Sequence, residues 1–549
     1  VTATAASQVI DVRALPDDTR LRFAEMVHGS VDFALPRLRF WNYEPCRKHR
    51  PHGITQGCRE CGIIPRRHQR IAIGWLYYAR YGLLADTVGS GKTAVAAGVL
   101  AIMAETGELV ADPVGREDEG RAVVICRAAA VPQWCRQLRR MIPGLEVISA
   151  DGTANQRVEK YVSGGWHVLV TSYQTLLNDR RALTRMGITT VIVDDVDPLR
   201  HDETATARAV KALARNTFRT YVMSGTPLQK RLMELYSVLE PIGGPAAFGS
   251  VTTFRHRYVR TEKVRIYNQK TGRAIVKEVE VGTRFLDELK TKLGPLALRR
   301  TAADLDDVKL PAIIPSDVYL DLYPAQRARY TELRQGVLRR IQEEGTRLKQ
   351  VTALTMIGYG QRICTGLPAL GEADGPGQSC KLDWVTDKLQ GDLADEKVVI
   401  FTAYTDTVAA LEARLTAAGI GHVKLWGRDR DPKSRDAAMQ ALWTDPNCRV
   451  LIGTQTIEQS IDLQIARHLI NIDMILNPAR MEQLAGRIRR DGSAFSNVFV
   501  HNILTRDTQE ERYVPLLERE QALIDSVWDE QSELFNSLTP LALLTMITG

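Results

Sequence analysis

Short apolar runs of strand length recur along the chain, separated by stretches in which apolar residues return every three or four positions. Ala122–Cys126, Val168–Thr171 and Val191–Val193 are continuous apolar runs rich in β-branched residues, with amphipathic helical segments between them. Unbroken rather than alternating hydrophobicity predicts strands buried on both faces, as in a parallel sheet covered by helices. The pattern returns at Lys397–Phe401, Val450–Ile452 and His468–Asn471, which predicts a second α/β lobe. Between the two sets, Lys263–Val281 carries two β-prone runs around Asn268–Gly272 and reads as a hairpin. Two helical stretches follow, roughly Pro324–Gln350 and Val351–Cys364, and a further one starts at Glu510 and extends past Ile524. Ala111–Gly120 and Leu370–Gln378 read as exposed loops.

Length changes this picture only by requiring more than one core: 549 residues exceed what a single core organises. The expected division is an N-terminal region (1–64), a first lobe (65–245), a helical and hairpin insertion (246–312), a second lobe (313–510) and a helical C-terminal segment (511–549). Hydrophobic residues at 44% and charged residues at 25% are ordinary globular usage. No run approaches the roughly 20 apolar residues of a membrane span, and Val1–Arg13 has no secretory pattern, so a soluble protein in an intracellular setting is expected. The net charge of +7 tilts only slightly toward an anionic partner.

Candidate chemistry lies at three places. After the apolar run Tyr81–Ala85 comes Asp86-Thr-Val-Gly-Ser-Gly-Lys-Thr93, where Thr87, Gly89, Ser90 and Gly91 let the backbone wrap a phosphate. Lys92 would reach the β- and γ-phosphates of ATP, and Thr93 would reach Mg2+. The competing reading is an incidental glycine turn before a helix. Next, Val191–Val193 delivers Asp194, Asp195 and Asp197 at a strand end, where parallel sheets bind ligands. Asp194 would hold Mg2+ and Asp195 would orient the attacking water, against the alternative of a solvated acidic turn. Last, Gln483, Arg487 and Arg490 fall at helical spacing on one face, and would stabilise charge on a γ-phosphate unless they form an ordinary basic surface.

Eight cysteines are too few and too unevenly placed for a disulfide framework, but Cys46-x2-His49-x8-Cys58-x2-Cys61 has the spacing of a tetrahedral Zn2+ site, with His52 as a substitute for His49. Arg47, Lys48, Arg50, Arg59, Arg66 and Arg67 make this module basic, so phosphate contact is an added possibility beside a structural role. Cys126, Cys135, Cys364, Cys380 and Cys448 read as core or near-surface thiols, and Trp166, Trp426 and Trp443 as packing residues.

In this order the motifs resemble the superfamily-two helicases, specifically the Swi/Snf-type DNA translocases, from about Pro65 to about His501. Asp86–Thr93 is similar to the family's DEMGLGKT loop, where aspartate at the first position is usual. His68-Gln69 with Gly74-Trp75-Leu76 resembles the adenine-reading motif, so His68 and Gln69 would contact the base. Val131-Pro-Gln-Trp134, Thr171-Ser-Tyr173, Ser224–Gln229, Leu298-Arg-Arg300, Leu310-Pro311, Asp321–Gln326, Phe401-Thr402, Ser460–Leu463 and Gln483–Arg490 resemble further family motifs. The resemblance implies nucleic-acid contacts from Gln133, Thr171, Ser172, Tyr173, Thr402 and Thr454, and a nucleotide contact from Asp462. The chain departs from the family where DEAH becomes Asp194-Asp-Val-Asp197, so a carboxylate one methylene shorter replaces the glutamate. It departs again at Ile457–Ser460 and at Asp462, where asparagine is usual.

The reading that results is an α/β protein of two RecA-like lobes with parallel sheets, a helical and hairpin insertion between them and a small N-terminal zinc module. Its expected activity is ATP hydrolysis driving movement along double-stranded DNA, with ATP, Mg2+ and structural Zn2+ as cofactors. An ATP-gated clamp that barely hydrolyses is one alternative, supported by Asp195. A strand-separating helicase or RNA motor, acting on single-stranded DNA or RNA, is another. A cytoplasmic or nucleoid setting in a bacterial or phage-infected cell is expected, with no membrane partner.

Overall fold

The computed structural model describes residues 65–113, 119–201, 204–229, 231–267, 274–305, 310–344, 350–426, 432–458, 463–490 and 493–518. The chain divides into two compact units, the first reaching residue 260 and adding 283–309, the second comprising 261–282 and most of the chain from 310 onward. The expected zinc ligands Cys46, His49, Cys58 and Cys61, and also Asp462, lie outside the described residues.

In the first unit, helix α1 (Arg67–Ala79) leads into strand β1 (Tyr81–Leu84), and helix α2 (Lys92–Thr106) follows the phosphate-type loop. Strands β2 (Arg121–Cys126), β3 (Val147–Ser149), β4 (Val168–Ser172), β5 (Ile188–Asp194) and β6 (Arg219–Met223) complete the predicted alternation, with helix α3 (Val131–Met141) after β2. Every residue of β1, β2 and β6 is buried, and the runs Tyr81–Ala85 and Ala122–Cys126 read as unbroken apolar stretches for that reason, whereas β6 also buries Arg219 and Thr220. Helix α2 is buried continuously from Ala94 to Met103, as a helix packed inside such a layer must be.

The predicted hairpin forms as β7 (Val259–Tyr267) and β8 (Ala274–Thr283), a two-stranded sheet of its own. The chain after it differs from the expected insertion. A two-residue strand, β9 (Ala297–Leu298), pairs in parallel with β1, giving a seven-stranded order β3-β4-β2-β5-β6-β1-β9. Phe248, Phe254, Tyr258, Leu289, Leu293 and Leu298 join the same core as β1 and β2. Apolar burial therefore returns much of 246–312 to the first unit, where local pattern suggested a separate body.

The second unit contains β10 (Ala312–Leu320), β11 (Val398–Phe401), β12 (Gly421–Leu425), β13 (Cys448–Gly453), β14 (His468–Asn471) and β15 (Asn497–Thr505), in the order β10-β15-β14-β11-β13-β12. All pairings in it are parallel. Val399, Phe401, Leu451 and Leu469 face one core, and Val398, Ile400, Val450 and Ile470 the other. The period-two alternation of the strand thus feeds two apolar layers at once. The expected helical pair is Pro324–Glu344 and Gln350–Thr365. The five free cysteines of the described residues are all buried. Trp166 is a core residue, whereas Trp443 is 41% exposed and is not the packing residue that was expected.

His468 and His501 meet on β14 and β15 with Nδ1 and Nε2 3.1 Å apart, a distance at which one ring donates and the other accepts. Burial, with help from Arg467, holds His468 down to about 4; burial, then His468 and Lys388, hold His501 down to about 4. Both are neutral in the fold at neutral pH, while an unfolded histidine takes up its proton near pH 6.5. Their stabilisation is complete above about pH 6.5 and is lost as pH falls from there toward 4. Thermal unfolding should therefore move to lower temperature between pH 7.5 and 5, and less so in His501→Phe. An equal slope in wild type and variant would refute this.

Candidate active site

Parallel pairing brings one end of the first sheet into a single line of chemistry. Leu84 lies opposite Met223, Met223 opposite Asp194, Val193 opposite Ile125, and Cys126 opposite Ser172. The residues that follow each strand, from Ala85 onward, Ser224, Asp195, Arg127 and Tyr173, therefore emerge side by side at the carboxyl edge, where open α/β sheets bind ligands.

The loop after β1 is built for close approach. Gly89 and Gly91 have φ of +89° and +83°, and a Cβ on Gly91 would meet Gln69 Nε2 at 2.5 Å. Lys92 opens α2, and its Nζ donates to the carbonyls of Asp86 (2.8 Å) and Thr87 (3.0 Å). The Ser90 hydroxyl is buried without a hydrogen-bond partner. An open backbone cradle, an unsatisfied hydroxyl and a lysine at a helix start together suit a polyphosphate.

His68 and Gln69, both buried, point at this loop: His68 Nε2 lies 2.9 Å from the Ser90 carbonyl and Gln69 Nε2 donates to the same oxygen at 3.1 Å. Gln69 Oε1 accepts from the Arg66 amide at 3.0 Å, so its side-chain amide ties the loop at Ser90 to the start of α1. Pattern reading gave no role to the side-chain pair behind it. Arg300 Nε and Nη2 grip Asp86 at 3.0 and 2.6 Å, and Arg300 Nη1 donates to the His68 carbonyl at 2.9 Å.

At the end of β5, Asp194 Oδ2 accepts from Trp134 Nε1 at 2.7 Å. Thr93 and Asp194 offer hydroxyl and carboxylate oxygens, the donor set of a hard divalent cation. Asp195 adopts a left-handed φ of +71°, its amide bonded to the Met223 carbonyl at 3.1 Å. Its Oδ2 accepts from Arg127 Nε and its Oδ1 from the Asp197 amide at 3.1 Å. Arg127 Nη2 donates to Asp197, which also pairs with Arg200. Burial tends to lower the Arg127 pKa, but Asp195 and then Asp197 outweigh it and raise it. Burial pushes the Cys126 thiol up, and Asp194 adds to that, so the thiol is inert.

Of the residues assigned to nucleic acid, Gln133 is half-buried on α3, and Ser172 caps the helix Tyr173–Leu183 through its hydroxyl. Thr171 is fully buried, and the Tyr173 hydroxyl donates to the Asp195 carbonyl, which places these two behind the carboxylates. Burial, then Asp195 and Asp194, raise the Tyr173 pKa far above the ordinary range.

The second sheet repeats the arrangement. Phe401 lies opposite both Gly453 and Asn471, so Thr402, Thr454 and Asp473 share one edge. Thr402 is fully buried and donates to Asp473 at 2.6 Å; Asp473 also accepts from the Ala403 amide at 2.8 Å and from the Thr365 hydroxyl. Thr454 is buried too. Asp473 was not foreseen, although an acid ending the apolar run of β14 was its signal. Behind it, Lys381 bonds Glu510 at 2.7 Å, both fully buried.

Gln483 and Arg487 lie on the helix Pro478–Ile488. Arg490 does not continue their face: Arg489 leaves helical geometry at φ −89°, ψ 85°, and its Nε donates to the Pro311 carbonyl at 2.9 Å. The helix ends at Ile488, so Arg490 lies beyond it and does not share the helical face of Gln483 and Arg487 that the sequence spacing implied.

Comparison with known proteins supplies the remaining context. A family model described as SNF2-related domain matches residues 68–367, and one described as helicase conserved C-terminal domain matches 380–492. An uncharacterized ATP-dependent helicase of Mycoplasma pneumoniae is 23% identical over 88% of this chain and 44% of its own length. The putative ATP-dependent helicase/translocase YwqA of Bacillus subtilis is 24% identical over 84% and 48%. The human DNA repair and recombination protein RAD54-like is 24% identical over 86% and 67%. The chain spans about half the length of several of the curated relatives it matches. Among solved structures, the Sulfolobus solfataricus SWI2/SNF2 ATPase core in complex with dsDNA is similar, at 22% identity and a TM-score of 0.38, over 87% of this chain and 95% of that one.

Proposed function

The chain belongs to the SNF2-related domain family, and from that premise we propose that it hydrolyses ATP to move along double-stranded DNA. The observation that carries this reading is the single edge of the first sheet on which the Lys92 loop and the Asp194–Asp195 pair emerge together. Lys92 and the amides of Thr87, Gly89, Ser90 and Gly91 bind the phosphates. Thr93 and Asp194 would hold Mg2+, which supplies neutralisation of charge on the transferred group. Asp195 orients the attacking water. Gln483, Arg487 and Arg490 of the second unit are proposed to act on the γ-phosphate, and Asp462 on the nucleotide.

Duplex DNA is the proposed track because Leu298-Arg-Arg300 and Asp321–Gln326 resemble motifs of Swi/Snf-type translocases, with Gln133, Thr171–Tyr173, Thr402 and Thr454 as the proposed contact segments. The buried threonines would act through backbone and neighbours. Structural Zn2+ at Cys46, His49, Cys58 and Cys61 belongs to the same proposal, checked by metal analysis of the purified protein. Among the described residues no helix is long and apolar enough to cross a membrane, and a nucleoid-associated setting suits a DNA motor.

Hydrolysis measured alone and with duplex DNA, single-stranded DNA or RNA tests the proposal. Duplex DNA should stimulate turnover most and support displacement of a triplex strand; stimulation by single strands alone would overturn the duplex reading. A second reading, an ATP-gated clamp, is favoured by the short carboxylate of Asp195. No turnover in wild type, with rescue by Asp195→Glu, would establish it.

A further inference from the structure

Three aspartates, Asp194, Asp195 and Asp197, lie within four positions at the end of β5, where a nearby cation offsets their mutual repulsion. Arg127 supplies it. Because Ile125 on β2 lies opposite Val193 on β5, the parallel register carries Arg127 to the level of Asp195. The guanidinium then bridges two carboxylates, Nε to Asp195 and Nη2 to Asp197. It is half-buried, 26% exposed, beside carboxylates exposed by 19% and 28%.

The remaining contacts of Asp195 make this bridge decisive for its direction. Its backbone is fixed in a left-handed turn by the Met223 carbonyl and the Tyr173 hydroxyl. One carboxylate oxygen is fixed by the Asp197 amide. The other is held by Arg127, and each oxygen keeps a further lone pair to accept from a water. Asp197 in turn accepts from Arg200 and, at 3.2 Å, from Gln229, while Arg200 also donates to the Thr226 carbonyl. Arg127 therefore ties the carboxylate of Asp195 into a network that reaches the Ser224–Gln229 segment.

We propose that Arg127 is a positioning residue for hydrolysis: by bridging Asp195 and Asp197 it holds the short carboxylate of Asp195 where the attacking water must be oriented. This rests on the ATPase reading above. A carboxylate one methylene shorter than glutamate has to be aimed by its surroundings, and misplacing such a group by about 1 Å costs roughly a hundredfold in rate.

The test is a double-mutant cycle on the full chain with Arg127→Ala, Arg127→Lys, Arg127→Gln, Asp195→Ala and the double variant Arg127→Ala/Asp195→Ala. Three quantities are read: kcat, KM, and equilibrium binding of a non-hydrolysable ATP analogue. Unfolding midpoints of the nucleotide-free variants are followed alongside. Arg127→Ala should lower kcat by roughly tenfold to a hundredfold, with KM and analogue affinity changed by less than about twofold. Arg127→Lys should recover part of the loss, since an ammonium replaces the charge but not the two-pronged geometry. In the Asp195→Ala background, Arg127→Ala should cost no further kcat, and the unfolding midpoints should couple in the same sense. A full additional loss in that background, a raised KM with kcat intact, or an unchanged kcat would each overturn the proposal. If the alanine variant does not fold, lysine and glutamine carry the same comparison. Absence of turnover in the wild-type chain itself, by contrast, counts against the ATPase reading and removes this inference with it.

Discussion

Replacing Lys92 with alanine is expected to drop ATP turnover below about one-hundredth of the wild-type rate, the scale of losing one preorganised charge-stabilising donor. Lys92 sits at the start of α2, and its ammonium rests on the carbonyls of Asp86 and Thr87, inside the loop that would surround the phosphates. Alanine removes the one side-chain cation of that loop while leaving the buried stretch Ala94–Met103 untouched, so the fold should survive. The measurement is DNA-stimulated hydrolysis in parallel with thermal unfolding. A variant that unfolds normally and hydrolyses at the wild-type rate would remove Lys92, and with it the phosphate loop, from the mechanism.

What the sequence made legible follows from how each feature is encoded. Strands buried on both faces are mostly apolar, so β2, β4, β5, β11, β13 and β14 announced themselves through runs such as Ala122–Cys126 and Val450–Ile452. The phosphate loop was legible because its chemistry is local: glycines, lysine and threonine act within one turn of chain. Features made by long-range pairing were not. β9 has only two residues and exists because Leu83 and Leu84 offer it an edge. Arg127 is a single basic residue after an apolar strand, and only the register of β2 on β5 shows that it faces Asp195. The helix Pro478–Ile488 gave the opposite error: its arginines keep helical spacing through Arg490, but the backbone leaves helical geometry at Arg489, whose side chain bonds the Pro311 carbonyl far away in sequence. Thr171 and Thr402 matched their motifs, yet their burial could not be read from residue type, since threonine serves surface and core alike.

The pair that no local pattern could reveal carries the other large expected effect. Asp86, 1% exposed, is held by Arg300 through two hydrogen bonds at 3.0 and 2.6 Å, and a third, from Arg300 to the His68 carbonyl, ties in α1. Arg300→Ala strands a buried carboxylate, a change that costs about 3–5 kcal/mol. For a unit of this size that corresponds to a fall of roughly 10 °C in the unfolding midpoint. The backbone bonds Ala85 N to Leu298 O and Thr87 N to Arg300 O, at 2.7 and 2.9 Å, do not depend on the side chain and should keep β9 in place. The loss should therefore fall on the loop, and ATP affinity should drop together with stability. Arg300→Lys should do less harm, because it keeps the charge without the fork. Adding Asp86→Asn to Arg300→Ala should return part of the stability, since the buried group is then neutral. If Asp86→Asn made the alanine variant still less stable, the carboxylate would be stabilising without Arg300, and the pair would not be what holds the loop.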